Sequence, residues 1–188
     1  MASYGVKIAF TGHYHAQNIA LSDFGHYVYI YDVETGSLIT SPCPIRYCSI
    51  NNNKITIKSE KILEKLYPNT EFAKNAQEFT RRIVIKKAYN TLRKYYVPEK
   101  DSNYIADHLG YAFLAHYSGE ANIENKPYFN ESEIGIWGRI VYKLGKHIID
   151  GLWEKPPPDN NNLVICLNKE INSSSEEIYD SKLNLYKF

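Results

Sequence analysis

The chain has little of what marks several protein classes. It carries three cysteines in 188 residues, Cys43, Cys48 and Cys166. An odd count with no regular framework argues against a disulfide scaffold. Cys43 and Cys48 stand five apart, too wide for a C-x-x-C redox or zinc pair, so all three read as small apolar core residues. No run of eighteen apolar residues occurs, which excludes a membrane-spanning helix. The N-terminus lacks a basic region followed by an apolar stretch and a small-residue cleavage site, so no signal peptide is read and the cytoplasm is the default location. Net charge is +1, and no bulk charge argues for nucleic acid or a membrane surface. There is no internal repeat.

What is present fits one domain with at most a small appendage, long enough to bury a core without staples. Tyrosine is frequent, with seventeen residues scattered along the chain. Scattered tyrosines favour half-buried amphipathic packing over a stacking platform for bases.

The first third reads as strands. Val6 to Phe10 is a short apolar run expected to form a buried strand over residues 5–10. Ala16 to Gly25 reads as a polar loop, and His26 to Val33 alternates aromatic and β-branched residues as a strand does. Leu38 to Thr40 resumes it, before Pro42 and Pro44, which belong at an edge or a turn. Residues 46–50 and 54–59 form a hairpin around Asn51-Asn52-Asn53, with Lys54-Ile55-Thr56-Ile57-Lys58 alternating buried and wet.

Beyond Pro68 the period becomes helical. Phe72, Ala76, Phe79 and Ile83, then Val84, Ala88, Leu92 and Tyr95, define a long helix with Thr70 as its cap and Pro98 as its stop. Its basic residues, among them Arg81, Arg82, Lys86 and Lys87, are diluted by Glu71, Glu78 and nearby acids and, with the chain near neutral, read as a solvated face rather than a phosphate-binding one. A second helix starts at a cap on Asp101 or Ser102 and ends at Gly119, with Ile105, Leu109, Ala112, Phe113 and His116 as its stripe. His108 and His116 are eight apart and do not share the i, i+4 face of a helical metal pair. Asn130 with Glu133 caps a third helix whose apolar face is Trp137, Val141, Leu144, Ile148 and Leu152. Leu163 to Leu167 is a last apolar strand, and residues 169–188 are a polar tail. The expected fold class is α+β, strands over residues 5–60 and then three helices and a short terminal strand.

The chemistry-bearing stretch is Thr11-Gly12-His13-Tyr14-His15. A strand that stops at a glycine delivers two histidines, spaced His-x-His, to a sheet edge. Imidazole is the commonest neutral metal ligand, and two of them on a tight turn can point towards one centre. Gly12 is expected to make a turn that a side chain would block, with Tyr14 turned away from the histidines into packing.

The segments FTGHYHAQNIA, YDVETGSLIT and PCPIRY resemble the C-terminal part of calcineurin-like metallophosphoesterases. The likeness is dense over residues 5–58 and thinner beyond, where it matches only the helical tail of some bacterial members. It implies that residues 1–60 are the strand-rich end of a metallophosphatase-type β-sandwich, with residues 61–168 a helical extension. It further implies that His13 and His15 ligate the two ions of a dinuclear site holding Mn, Fe or Zn. Such ions act as Lewis acids on phosphate oxygens and lower the pKa of a bridging water. The implied substrate is a phosphorylated small molecule or a phosphodiester. Asp32 and Glu34 are candidate partners that orient the imidazoles. The family's earlier Asp-x-His, Gly-Asp-x-x-Asp and Gly-Asn-His motifs do not occur here, because the chain has no Gly-Asp and no Gly-Asn. It therefore resembles the C-terminal piece of such an enzyme, or a shortened, non-catalytic relative acting as an interaction domain.

Overall fold

The Lys54–Lys58 alternation is seen directly in the computed structural model, which describes residues 1–51, 53–154 and 158–167. Strands β4 (Pro44–Asn51) and β5 (Lys54–Lys61) pair antiparallel in a register that sets Ile50 against Ile55 and Asn51 against Lys54. Ile57 is buried while Lys54 and Lys58 are exposed. Strand β6 (Asn162–Cys166) adds to the other side of β5, so the sheet order is β4-β5-β6. Pro44 opens an edge strand, where its missing N–H leaves no ladder gap.

A second sheet has the order β1-β3-β2 and holds β1 (Ile8–Thr11), β2 (Asn18–Asp23) and β3 (Tyr29–Glu34). β1 runs parallel to β3 and β2 antiparallel to it. Ile19, Val33, Ile57, Leu163 and Ile165 form one buried cluster, which joins the inner faces of the two sheets. Two sequence expectations change here. The strand at residues 5–10 is an edge strand with Phe10 exposed, not a buried one. Residues 18–23, read as loop, form β2; the alternation of Ile19, buried, with Ala20, exposed, is short and flanked by polar residues. Leu38–Thr40 lies in a turn and does not extend β3.

Among the described residues four α-helices complete the α+β fold: a short α1 (Ile62–Leu66), then α2 (Glu71–Lys94), α3 (Glu99–Ser118) and α4 (Ile136–Gly151). Thr70 caps α2, its side chain accepting from the Ala73 amide at 3.3 Å. Gly119 ends α3 in the left-handed conformation, as its position after the stripe predicts. Leu92, Val97, Ile105, Ala106, Ile134, Tyr142 and Ile149 form a second core among α2, α3 and α4. Gly110 allows the close approach of α2 and α3, since a Cβ there would lie 2.8 Å from Ile85 Cγ1. Arg81, paired with Asp107 and Glu78, stacks on Tyr111 at 4.2 Å.

The helical periods match the sequence but two faces do not. Phe72, Phe79, Ile83 and Tyr95 of the α2 stripe are exposed, and the side that packs carries Thr80, Ile85, Ala88 and Leu92. On α4 three residues of the expected core face, Trp137, Leu144 and Ile148, are exposed, while Val141 packs against the core and Leu152 is half-buried; the buried positions are Gly138, Tyr142 and Ile149. The caps differ as well. Pro98 precedes α3, while Asp101, buried in its first turn, accepts from the Gly135 amide at 3.0 Å and so caps α4. Asn130 caps a single 3-10 turn, Glu131–Glu133, ahead of α4. Among the described residues no helix is long and apolar enough to cross a membrane. The tail expected at residues 169–188 lies outside the described residues.

Candidate functional site

Glu34 organises the segment that carries the histidines. It lies at the end of the middle strand β3 and pairs with Thr11 of β1 on one side and Asn18 of β2 on the other. The loop 12–17 therefore crosses over the end of β3. The Thr35 amide donates to the Thr11 carbonyl at 3.1 Å, and the Thr11 hydroxyl to Asp32 Oδ1 at 2.5 Å, so the β1 end of the loop is tied to β3 and the residue that follows it.

Within the loop His13 and His15 both have positive φ, 98° and 62°. That conformation is uncommon for residues with a Cβ and requires the surroundings to hold it. Glu34 Oε1 accepts from the Tyr14 amide, between the two histidines, at 3.0 Å. Gln17, fully buried, accepts from the Gly36 amide at 2.8 Å through Oε1 and donates through Nε2 to Asn161 at 3.3 Å. Gly36 is where a side chain would be blocked: a Cβ there would lie 2.7 Å from Pro44 Cγ and 3.1 Å from the His15 carbonyl oxygen. Gly12, expected to have that role, has room instead, with only the Thr35 carbonyl oxygen within 3.9 Å of an added Cβ, and its φ is not positive. The left-handed turns fall on the histidines themselves.

Below the loop, Arg46 of β4 reaches across to the other sheet. Its Nη2 donates to the Glu34 carbonyl at 2.7 Å and to the Asn18 carbonyl at 3.4 Å. Its Nε and Nη1 are buried with no hydrogen-bond partner among the described residues. Burial pulls the guanidinium pKa down to about 10, against the opposing charges of Asp159 and Glu34. Asn160, buried, accepts from the Ile19 amide at 3.0 Å.

His13 is exposed and His15 half-buried, with the His15 ring 6.5 Å from that of Tyr117 at the end of α3. Tyr14 is 76% exposed, with its ring edge-on to that of His13, so it projects outward and not into the packing expected of it. Glu34 is raised above the usual carboxylate range chiefly by burial and secondarily by the charge of Asp32. The Tyr14 N–H and the charges of His13 and His15 oppose that rise, which puts both imidazoles within electrostatic reach of this carboxylate. His116 is half-buried, which lowers its pKa, and both His108 ring nitrogens face backbone carbonyls, those of Tyr104 and Tyr128. Neither lies on the histidine loop.

Two imidazoles and a nearby carboxylate make a proton acceptor and a pair of nitrogen donors. They do not make a dinuclear metal centre. Among the described residues no group of three or more His, Cys, Asp or Glu side chains is placed to hold an ion. Two features of the site escaped sequence reasoning. Gln17 bonds the Gly36 amide and the Asn161 side chain, Arg46 bonds the Glu34 and Asn18 carbonyls, and no period or ligand spacing in the sequence singles either of them out. No protein-family model matches the sequence, and no curated protein matches it.

Proposed function

We propose that this chain is the histidine-bearing C-terminal part of a metal-dependent phosphoesterase, with His13 and His15 contributing one ligand each to two divalent ions, Mn, Fe or Zn. The remaining ligands come from outside the described residues. The substrate is a phosphorylated small molecule or a phosphodiester. The observation that carries this reading is the loop 12–17, whose two histidines have positive φ and are pinned to the end of β3 by Glu34. Strained, over-determined backbone of this kind is concentrated at functional sites. The joint burial of the two sheets through Ile19, Val33, Ile57 and Leu163 supports a metallophosphatase-type sandwich.

The test is calorimetric titration of the purified chain with Mn²⁺ and Zn²⁺, beside an assay of a generic phosphodiester with each ion. Weak binding that disappears in His13→Ala/His15→Ala, with negligible turnover, is the expected result. Robust metal-dependent hydrolysis by the chain alone would overturn the claim that its ligand set is incomplete. A second reading, a non-catalytic interaction domain of the same ancestry, is favoured by the incomplete donor set and by the exposed apolar face of α4. It predicts no ion binding at all.

A further inference from the structure

Helix α4 buries one face and leaves a second apolar face open. Gly138, Tyr142 and Ile149 pack inward, with Gly138 so close to Asp101 that a Cβ would lie 2.5 Å from its Oδ2. Ile136, Ile140, Leu144 and Ile148 stand at every fourth position and are 77%, 44%, 72% and 59% exposed. Four residues at that spacing form an i±4 ridge about 18 Å long, the kind that packs into the matching groove of another helix. With Trp137 alongside, the ridge presents on the order of 600 Å² of apolar surface, the upper end for a patch on a monomer.

We propose that this ridge is a self-association surface, which pairs α4 with α4 of a second copy of the chain in antiparallel, two-fold fashion. The reading is independent of the phosphoesterase proposal. A two-fold axis passing level with residue 142 sets Ile136 against Ile148 and Ile140 against Leu144 of the partner copy, so each large side chain meets another. The flanking basic side chains do not meet their equivalents: Lys143 falls opposite position 141 and Lys146 opposite position 138. An isologous contact of this form buries about 1,200 Å² in total, the lower bound of stable interfaces. An anionic membrane surface fits less well. Lys143 and Lys146 of this helix are already matched by Glu131 at 3.6 Å and Asp150 at 2.6 Å, whereas docking to lipid headgroups uses free lysines and arginines.

The test is sedimentation velocity on the full 188-residue chain at about 100 μM, a concentration that populates the weak dimers found at the low end of interface sizes. The wild type is expected at twice the 21.7 kDa chain mass. Ile140→Lys and Leu144→Glu, both at exposed positions, should each be monomeric with unchanged helical circular dichroism. Mixed one to one they should associate again, because position 140 of one copy faces position 144 of the other. A monomeric wild type, a dimer indifferent to both substitutions, or variants that fail to associate on mixing would each overturn the proposal. So would a wild type that is monomeric alone and co-sediments with phosphatidylserine vesicles, in favour of a membrane surface.

Discussion

The side chain of Glu34 holds the backbone of Tyr14: its Oε1 accepts from the Tyr14 amide at 3.0 Å. A residue at the end of a central strand thus fixes the midpoint of the loop that crosses it. Burial raises the Glu34 pKa above 4.5, so the folded state favours the protonated carboxyl relative to the unfolded chain. Its contribution to stability is complete below 4.5 and is lost as pH rises through the raised folded value. Glu34→Gln keeps the acceptor and removes the titration. Urea denaturation from pH 4 to pH 7 should therefore show the variant gaining stability relative to wild type as pH rises. A difference that stays flat across that range would contradict the assignment.

The tightest packing at the loop is at Gly36. A Cβ there meets Pro44 Cγ at 2.7 Å and the His15 carbonyl at 3.1 Å, and neither a proline ring nor a backbone oxygen can swing aside. Gly36→Ala is expected to destabilise the chain by about 1–3 kcal/mol, the usual range for overpacking, while Gly12→Ala should be close to neutral. Denaturation midpoints of the two variants check this ordering, and equal costs would show that the loop relaxes freely.

Much of the fold is legible in the sequence where one short-range rule governs it. The hairpin at 46–59 follows from the Ile55/Ile57 alternation, while the middle of the expected asparagine turn, Asn52, lies outside the described residues, and Gly119 ends α3 because a left-handed cap bonds only its own helix. What failed is what depends on distant chain. α4 has apolar residues over more than half its circumference, so the period identifies a helix but not which arc meets α3; the glycine at 138 and the carboxylate of Asp101 decide that. β2 is too short for its alternation to outweigh its polar flanks. At the site the histidines were legible by type and spacing. Gln17 and Arg46 were not, because their roles are hydrogen bonds to backbone groups 19 and 12 residues away.

Asp101 makes a third relationship testable. It is buried in the first turn of α3 and accepts from the Gly135 amide at the start of α4, where it also complements the positive end of the helix dipole. Asp101→Ala leaves that amide without its partner and should cost about 1–2 kcal/mol. Hydrogen exchange should show the loss first in the opening turn of α4. Protection unchanged there, with a loss confined to α3, would mean that Asp101 serves only its own helix.

The positive φ of His13 gives the sharpest link between the loop's conformation and its proposed role. Glycine normally lowers stability relative to alanine by about 0.5–1 kcal/mol because its unfolded chain is freer. At a left-handed position the order reverses, since the Cβ of alanine meets the neighbouring carbonyl and glycine has none. His13→Gly should therefore be more stable than His13→Ala by about 1 kcal/mol, measured by urea denaturation. Both lose the imidazole, so both should lose Zn²⁺ binding to the same degree in a calorimetric titration. If His13→Ala proves the more stable of the two, the loop does not hold the left-handed turn at His13. A titration unchanged in both variants would remove His13 from the ion site, whatever the backbone there adopts.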